Sequence, residues 1–140
     1  PRFVRWAMAG EPIQIYGDGK QTRCFANVHD VVDAITRLGE SNEVAGEVFN
    51  IGSAEEVTIE ELAQHVLART GSSSPIEYIP YEQAYEAGFE DMRRRVPDTR
   101  KIREAVGWQA TTTLDETIDQ IIAYFQAEDE RKREKSATSR

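Results

Sequence analysis

Arg93, Arg94 and Arg95 stand consecutively in a chain of 140 residues whose formal net charge is −8. A guanidinium is always ionised and presents a planar fork of N–H donors that matches paired oxyanions. A local cationic cluster in an acidic chain suits a small anionic ligand; the same run also reads as a solvated charged face. Tyr16 and Lys20 have Tyr-x-x-x-Lys spacing. On a helix, one turn would set the ammonium beside the phenol and lower the phenol pKa enough for it to act as a base. Gly17-Asp18-Gly19 cannot hold such a helix, and no other Tyr has a Lys four residues on. That base is therefore absent. Gly17-Asp18-Gly19 also opens like a glycine-rich dinucleotide fingerprint, but the third glycine position is Thr22 and the segment leads into a strand, so it reads as a hairpin turn. His29 and His65 have no partners at metal-ligand spacing and read as surface or capping residues. Cys24 has no paired His in a motif and reads as strand packing.

Stepping outward, 39 % hydrophobic and 30 % charged residues describe a soluble, globular chain of one-domain length. The acidic balance disfavours a general nucleic-acid binder. The longest apolar runs, such as Ile121 to Phe125, are far shorter than a membrane span. No signal peptide opens the chain. A lone cysteine fits a reducing cytoplasm.

The pattern predicts an α/β fold with short strands and packed helices. Residues 2–9 read as a helix stopped by Gly10, with no start signal of its own, as if cut from something longer. Pro12 to Tyr16 alternates like a strand, and Thr22 to Val28 reads as a second. Asp30 is the expected cap of a helix through Val31, Ala34, Ile35 and Leu38. Glu47 to Gly52 reads as a third strand. Thr58 and Glu61 form a capping box for a helix carrying Leu62, Val66 and Leu67 and ending before Gly71. Ile76 to Pro80 reads as an edge strand. Residues 81–97 read as a loop. Asp98 is expected to cap a short helix stopped by Gly107. Thr113 and Glu116 open a last helix with Ile118, Ile121, Ile122 and Phe125 inward. The polar tail, 128–140, is expected to fray or to be helical, apart from a domain spanning 1–127.

Four segments together carry a resemblance: Glu11 to Arg23 (EPIQIYGDGKQTR), Val28 to Val32 (VHDVV), Val48 to Gly52 (VFNIG), and Arg94 to Asp98 (RRVPD) followed by Gly107-Trp108. Their order and spacing resemble the C-terminal portion of the extended short-chain dehydrogenase/reductases, the NAD-dependent epimerases and dehydratases of nucleotide sugars. The resemblance runs from Pro1 to about Phe125 and is strongest to UDP-glucose 4-epimerases and UDP-glucuronate decarboxylases. It implies a small substrate-binding domain. The Rossmann half, which in the family holds NAD and the Tyr/Lys pair, has no counterpart here.

What the resemblance implies for the site is binding rather than catalysis. Arg23 matches the family's arginine from the strand after the glycine turn, and Arg95 with Asp98 matches its Arg-x-x-Asp pattern. Both arginines would hold the diphosphate, while Asp98 would bond the ribose or hold the arginine. Asp98 reads equally well as a helix cap, and Arg23 also reads as one half of a strand-face ion pair. Tyr16 would lie near the base, and Gln21 would bond phosphate or ribose. Phe25 and Asn50 read as packing and backbone-satisfying residues, and Arg93 as a solvated or contact residue. No catalytic, cofactor or metal residue is expected in this chain. The expected partners are a UDP-linked sugar, the chain's own Rossmann half and, for the parent enzyme, a second copy. Two other readings stay open: a stand-alone nucleotide-sugar-binding module, and an interaction protein using its last helix with Arg131, Lys132, Arg133 and Lys135.

Overall fold

The computed structural model describes residues 1–84 and 91–138. Helix α1 (Arg2–Ala9) ends at Gly10, whose φ of 71° is a left-handed stop that favours glycine. Strand β1 (Ile13–Tyr16) follows, and its alternation is real: Ile13 and Ile15 are fully buried while Gln14 and Tyr16 are half-buried. β1 pairs in parallel with β4 (Ile76–Ile79), from Ile13 opposite Ile76 to Tyr16 opposite Ile79. A second sheet runs in the order β3 (Glu56–Thr58), β2 (Thr22–Cys24), β5 (Arg94–Arg95). β2 is antiparallel to β3 and parallel to β5. Short strands, two small sheets and packed helices make this the mixed α/β domain that the sequence predicts.

Three helices cover β1. α3 (Ile59–Thr70) contacts α1, β1 and α6 (Leu114–Thr138), and α1 contacts α6. The core between them contains Val4, Ala7, Ile13, Ile15, Val57, Ala63, Val66, Leu114 and Ile118. Leu62, Leu67, Ile121, Ile122 and Phe125 pack around its edge. Each fully buried aliphatic side chain stabilises the fold by about 1.5–3 kcal/mol. Both predicted capping boxes form. Thr58 accepts from the Glu61 amide at 3.0 Å and Glu61 accepts from the Thr58 amide at 2.8 Å. Thr113 and Glu116 repeat the pattern at 3.2 and 2.8 Å.

A second apolar cluster joins α2 (Val28–Glu40) to α5 (Arg100–Val106) through Ala34, Ile102 and Trp108, with Phe49 and Ile51 against it. Asp30 ties this region together, in a role other than the expected one. The cap of α2 is Asn27, whose side chain accepts from the His29 amide at 2.9 Å. Asp30 lies inside the first turn, 8 % exposed, and accepts from the Thr112 amide at 2.9 Å and from the Thr111 amide and hydroxyl at 3.1 Å. The Trp108 indole donates to the Asp30 carbonyl at 3.0 Å. Burial alone would raise the Asp30 pKa, but the Thr112 and Thr111 donors outweigh it, and the carboxyl lies below its ordinary value.

Other boundaries also differ from the pattern. β2 ends at Cys24 because Asn27 turns the chain into α2. Residues 47–52 are not a strand: Phe49 and Ile51 face the second cluster and Val48 is 83 % exposed, but no neighbouring strand meets the segment among the described residues. Alternation alone does not make a strand without a ladder. The segment 81–97 contains a helical turn, α4 (Tyr81–Ala84), and β5; the expected loop at 85–90 lies outside the described residues. The cap position of α5 is Thr99, although the Asp98 carboxylate still accepts from the Arg100 amide at 3.0 Å. α6 continues to Thr138, so the tail expected to fray or to be helical is helical as far as it is described, and Arg5 on α1 pairs with Glu128 and Asp129, at 2.6 and 3.2 Å.

Candidate functional site

The parallel pairing of β2 with β5 sets Arg23 directly opposite Arg95. Opposed residues on neighbouring strands share a face, and like charges there repel. The two guanidiniums are satisfied very differently. Arg23 pairs with Asp91, and its Nη1 donates to the carbonyls of Thr22 and Met92 at 2.7 Å each. Arg95 is exposed and has no hydrogen bond or ion pair among the described residues. Strand alternation turns Arg94 to the opposite face. There it grips Glu56 with two parallel bonds, Nε at 3.0 Å and Nη2 at 2.9 Å. The Thr22 hydroxyl, and then this guanidinium, hold the Glu56 carboxyl below its ordinary value. Arg93 reaches back to Asp18 in the β1–β2 turn, at 2.8 Å. Among the described residues the run of three arginines therefore divides into two ion-paired side chains, Arg93 and Arg94, and one without an ion pair, Arg95.

Two adjoining cavities share Arg23 and Ile59. One, of about 310 Å³, is lined by Tyr16, Gln21 and Arg23 from the strands, Arg2, Phe3 and Trp6 from α1, and Tyr81 and Asp91. The other, of about 900 Å³, is lined by Arg23, Arg95 and Asp98 together with Cys24, Phe25, Asn50 and Gly52. All five residues expected at the site from the sequence thus line these two spaces. The first cavity offers aromatic walls, suited to a flat ring; the second has two arginines, Arg23 and Arg95, in its lining, and guanidiniums suit paired oxyanions.

The individual roles are sharper than the sequence allows. Gln21 is 6 % exposed, and its amide N–H is taken by the Tyr16 carbonyl at 3.0 Å. Its Oε1 is buried without a partner among the described residues. The amide oxygen can accept only from a donor, and the second N–H of the amide remains able to donate. Asp98 holds Arg100 rather than Arg95, at 2.6 Å, and that guanidinium, first, and the Arg100 amide, second, hold its pKa down to about 2. Asn50 donates to the Asp98 carbonyl at 3.3 Å and Phe25 packs on the main core, the supporting roles expected of them. Burial, and next Glu56, push the Cys24 thiol up, which leaves it a poor nucleophile. His65 joins α3 to α6 through Asp115 at 2.6 Å. Asp91 and Tyr81 were not singled out in the sequence; neither belongs to a motif, and only the folded chain brings them to Arg23.

The Gly17-Asp18-Gly19 turn does not have the form of a dinucleotide fingerprint. It joins two strands, with Asp18 held by Arg93 and the Tyr81 ring lying against Gly17. No helix N-terminus follows it to receive a pyrophosphate.

A family model described as GDP-mannose 4,6 dehydratase matches residues 1–121. The chain belongs to the NAD-dependent nucleotide-sugar epimerases and dehydratases, within the extended short-chain dehydrogenase/reductases. It is 41 % identical over 125 residues to UDP-N-acetyl-alpha-D-glucosaminuronate decarboxylase of Bacillus cytotoxicus, covering 89 % of this chain and 39 % of that protein. It superposes on UDP-glucose 4-epimerase of Thermotoga maritima, solved with UDP-glucose, with a TM-score of 0.79 and 30 % identity, covering 90 % of this chain and 38 % of the other. MoeE5, solved with UDP-glucuronic acid and NAD, gives a TM-score of 0.78 and 30 % identity over 91 % of this chain and 40 % of the other. The chain therefore spans about two fifths of the length of these proteins. No helix among the described residues is long and apolar enough to cross a membrane.

Proposed function

We propose that this chain holds the nucleotide diphosphate of a UDP-linked sugar, as the substrate-binding portion of an NAD-dependent enzyme. The observation that carries the proposal is the register that opposes Arg23 and Arg95 in the lining of the larger cavity. Asp91 offsets the charge of Arg23, but Arg95 has no counter-ion among the described residues, and a diphosphate has the paired oxyanions to engage both guanidiniums. The base and ribose would occupy the cavity of Tyr16, Trp6 and Gln21, and Asp98 would edge the ribose or diphosphate. Holding the diphosphate fixes the sugar ring against a reactive centre, which converts binding energy into orientation. The hydride and proton chemistry belongs to a dinucleotide-binding half of the same protein, and two such proteins would form the working dimer.

Among the three reactions the resemblance implies, epimerisation, decarboxylation and 4,6-dehydration, decarboxylation of a UDP-linked uronic acid ranks first, because the Bacillus relative at 41 % identity carries that activity in its name. The epimerase reading has the Thermotoga structure in its favour. The binding part is tested by titrating the chain with UDP, UMP and uridine. UDP should bind most tightly and uridine least, and the difference should shrink with salt because Arg95 is exposed. Equal affinity for uridine and UDP would remove the diphosphate from the site. In a protein carrying this chain with its dinucleotide half, UDP-glucuronic acid and NAD should yield carbon dioxide; a product that keeps its carboxylate would favour the epimerase.

A further inference from the structure

Arg23 is held before any ligand arrives. A guanidinium has five N–H groups. Two of those on Arg23 go to the carbonyls of Thr22 and Met92, and a third goes to the Asp91 carboxylate. Two have no partner among the described residues, the Nε–H and one N–H on Nη2. The pair is mostly enclosed, with the Arg23 side chain 21 % and the Asp91 side chain 25 % exposed. Asp91 is itself anchored: the Tyr81 hydroxyl donates to its other oxygen at 3.1 Å. Tyr81 in turn lies flat on the β1–β2 turn, where a Cβ at Gly17 would come within 2.4 Å of the ring. All three residues line the cavity that holds Tyr16 and Gln21.

We propose that Asp91 is a positioning residue for Arg23, orienting its guanidinium so that the two remaining N–H groups face the nucleotide diphosphate. The inference rests on the reading of these cavities as a diphosphate site. An arginine free to rotate must be ordered when the ligand binds, and ordering one long side chain costs affinity. Asp91 carries that ordering in the unliganded chain. Its carboxylate has a second effect of opposite sign, since a negative charge beside Arg23 weakens attraction for any anion. The two effects separate cleanly in a pair of variants. Asp91→Asn keeps an oxygen for Arg23 and an amide for Tyr81 but removes the charge. Asp91→Ala removes the charge and the contact together.

The experiment titrates the wild-type chain and both variants with UDP and, separately, with uridine. Asp91→Ala should bind UDP about fivefold more weakly than Asp91→Asn, a gap that salt does not close because the two variants have the same charge. Uridine should bind both variants equally, since it lacks the phosphates that Arg23 meets. Equal UDP affinity in the two variants would overturn the positioning role. A uridine loss as large as the UDP loss would also overturn it, by showing that the whole cavity had deformed. Failure of the wild-type chain to bind UDP at all would instead overturn the diphosphate reading itself, and this inference with it.

Discussion

Replacing Arg95 by alanine isolates ligand binding from folding better than any other change at the site. The side chain is exposed and has no hydrogen bond or ion pair among the described residues, so its removal should alter stability by less than about 0.5 kcal/mol. What it loses is one charge-assisted contact to an oxyanion. Such bonds contribute roughly 1.5–3 kcal/mol. Exposure puts Arg95 at the low end, so UDP affinity should fall about tenfold, at about 1.4 kcal/mol per decade. Arg95→Lys should recover part of that, because an ammonium keeps the charge but loses the fork. The control is one residue away: Arg94 points to the opposite face and is bound bidentately to Glu56, so Arg94→Ala should leave UDP affinity within twofold. Calorimetric titration of the chain and its variants with UDP reads the series, with thermal melts alongside. An Arg95→Ala chain that binds UDP as well as the wild type does would refute the paired-arginine site. An Arg94→Ala chain equally impaired would show that only bulk positive charge matters.

Removing the Asp30 carboxylate should cost more stability than any surface change, since Asp30→Ala leaves the Thr111 and Thr112 amides without their acceptor. The expected loss is about 2–4 kcal/mol, read from denaturant melts, with Asp30→Asn losing less; a loss under about 1 kcal/mol would discount the latch. The folded pKa of Asp30 lies below its ordinary 3.8, so its contribution is complete above that value and disappears as pH falls through the lower folded value. Melts in acid should therefore show a wild-type stability loss below about pH 4 that Asp30→Asn lacks in part. On α2, Val28, Val32 and Ile35 are 66 %, 54 % and 58 % exposed at helical spacing, an apolar stripe without cover. The chain should bind a hydrophobic dye, and Val32→Lys with Ile35→Lys should reduce that binding without lowering the melting temperature; unchanged dye binding would place the exposed apolar surface elsewhere.

Local rules settled much of this protein before any tertiary contact. Gly10 stops α1, the two Thr/Glu boxes open α3 and α6, and the alternation of Ile13 and Ile15 marks β1, because each depends on residues within a few positions along the chain. The ordered motifs from Glu11 to Trp108 also sufficed to indicate the family, and they pointed to five residues that line the two cavities. Tertiary structure decided the rest, wherever a partner distant in sequence was needed. Residues 47–52 alternate like a strand but have no neighbour to pair with among the described residues, and α6 is tied to α1 at Glu128 by Arg5, more than a hundred residues earlier. Asp30, which by sequence could cap its own helix, instead holds the loop at Thr111 and Thr112, 81 and 82 residues away. The three consecutive arginines are chemically alike in the sequence. Only the pairing of β5 with β2, and the places of Asp18, Glu56 and Asp91 around it, gave Arg93, Arg94 and Arg23 their ion pairs and left Arg95 without one among the described residues. A charge's role depends on which opposite charge lies within a few ångströms, and that distance is a property of the folded chain.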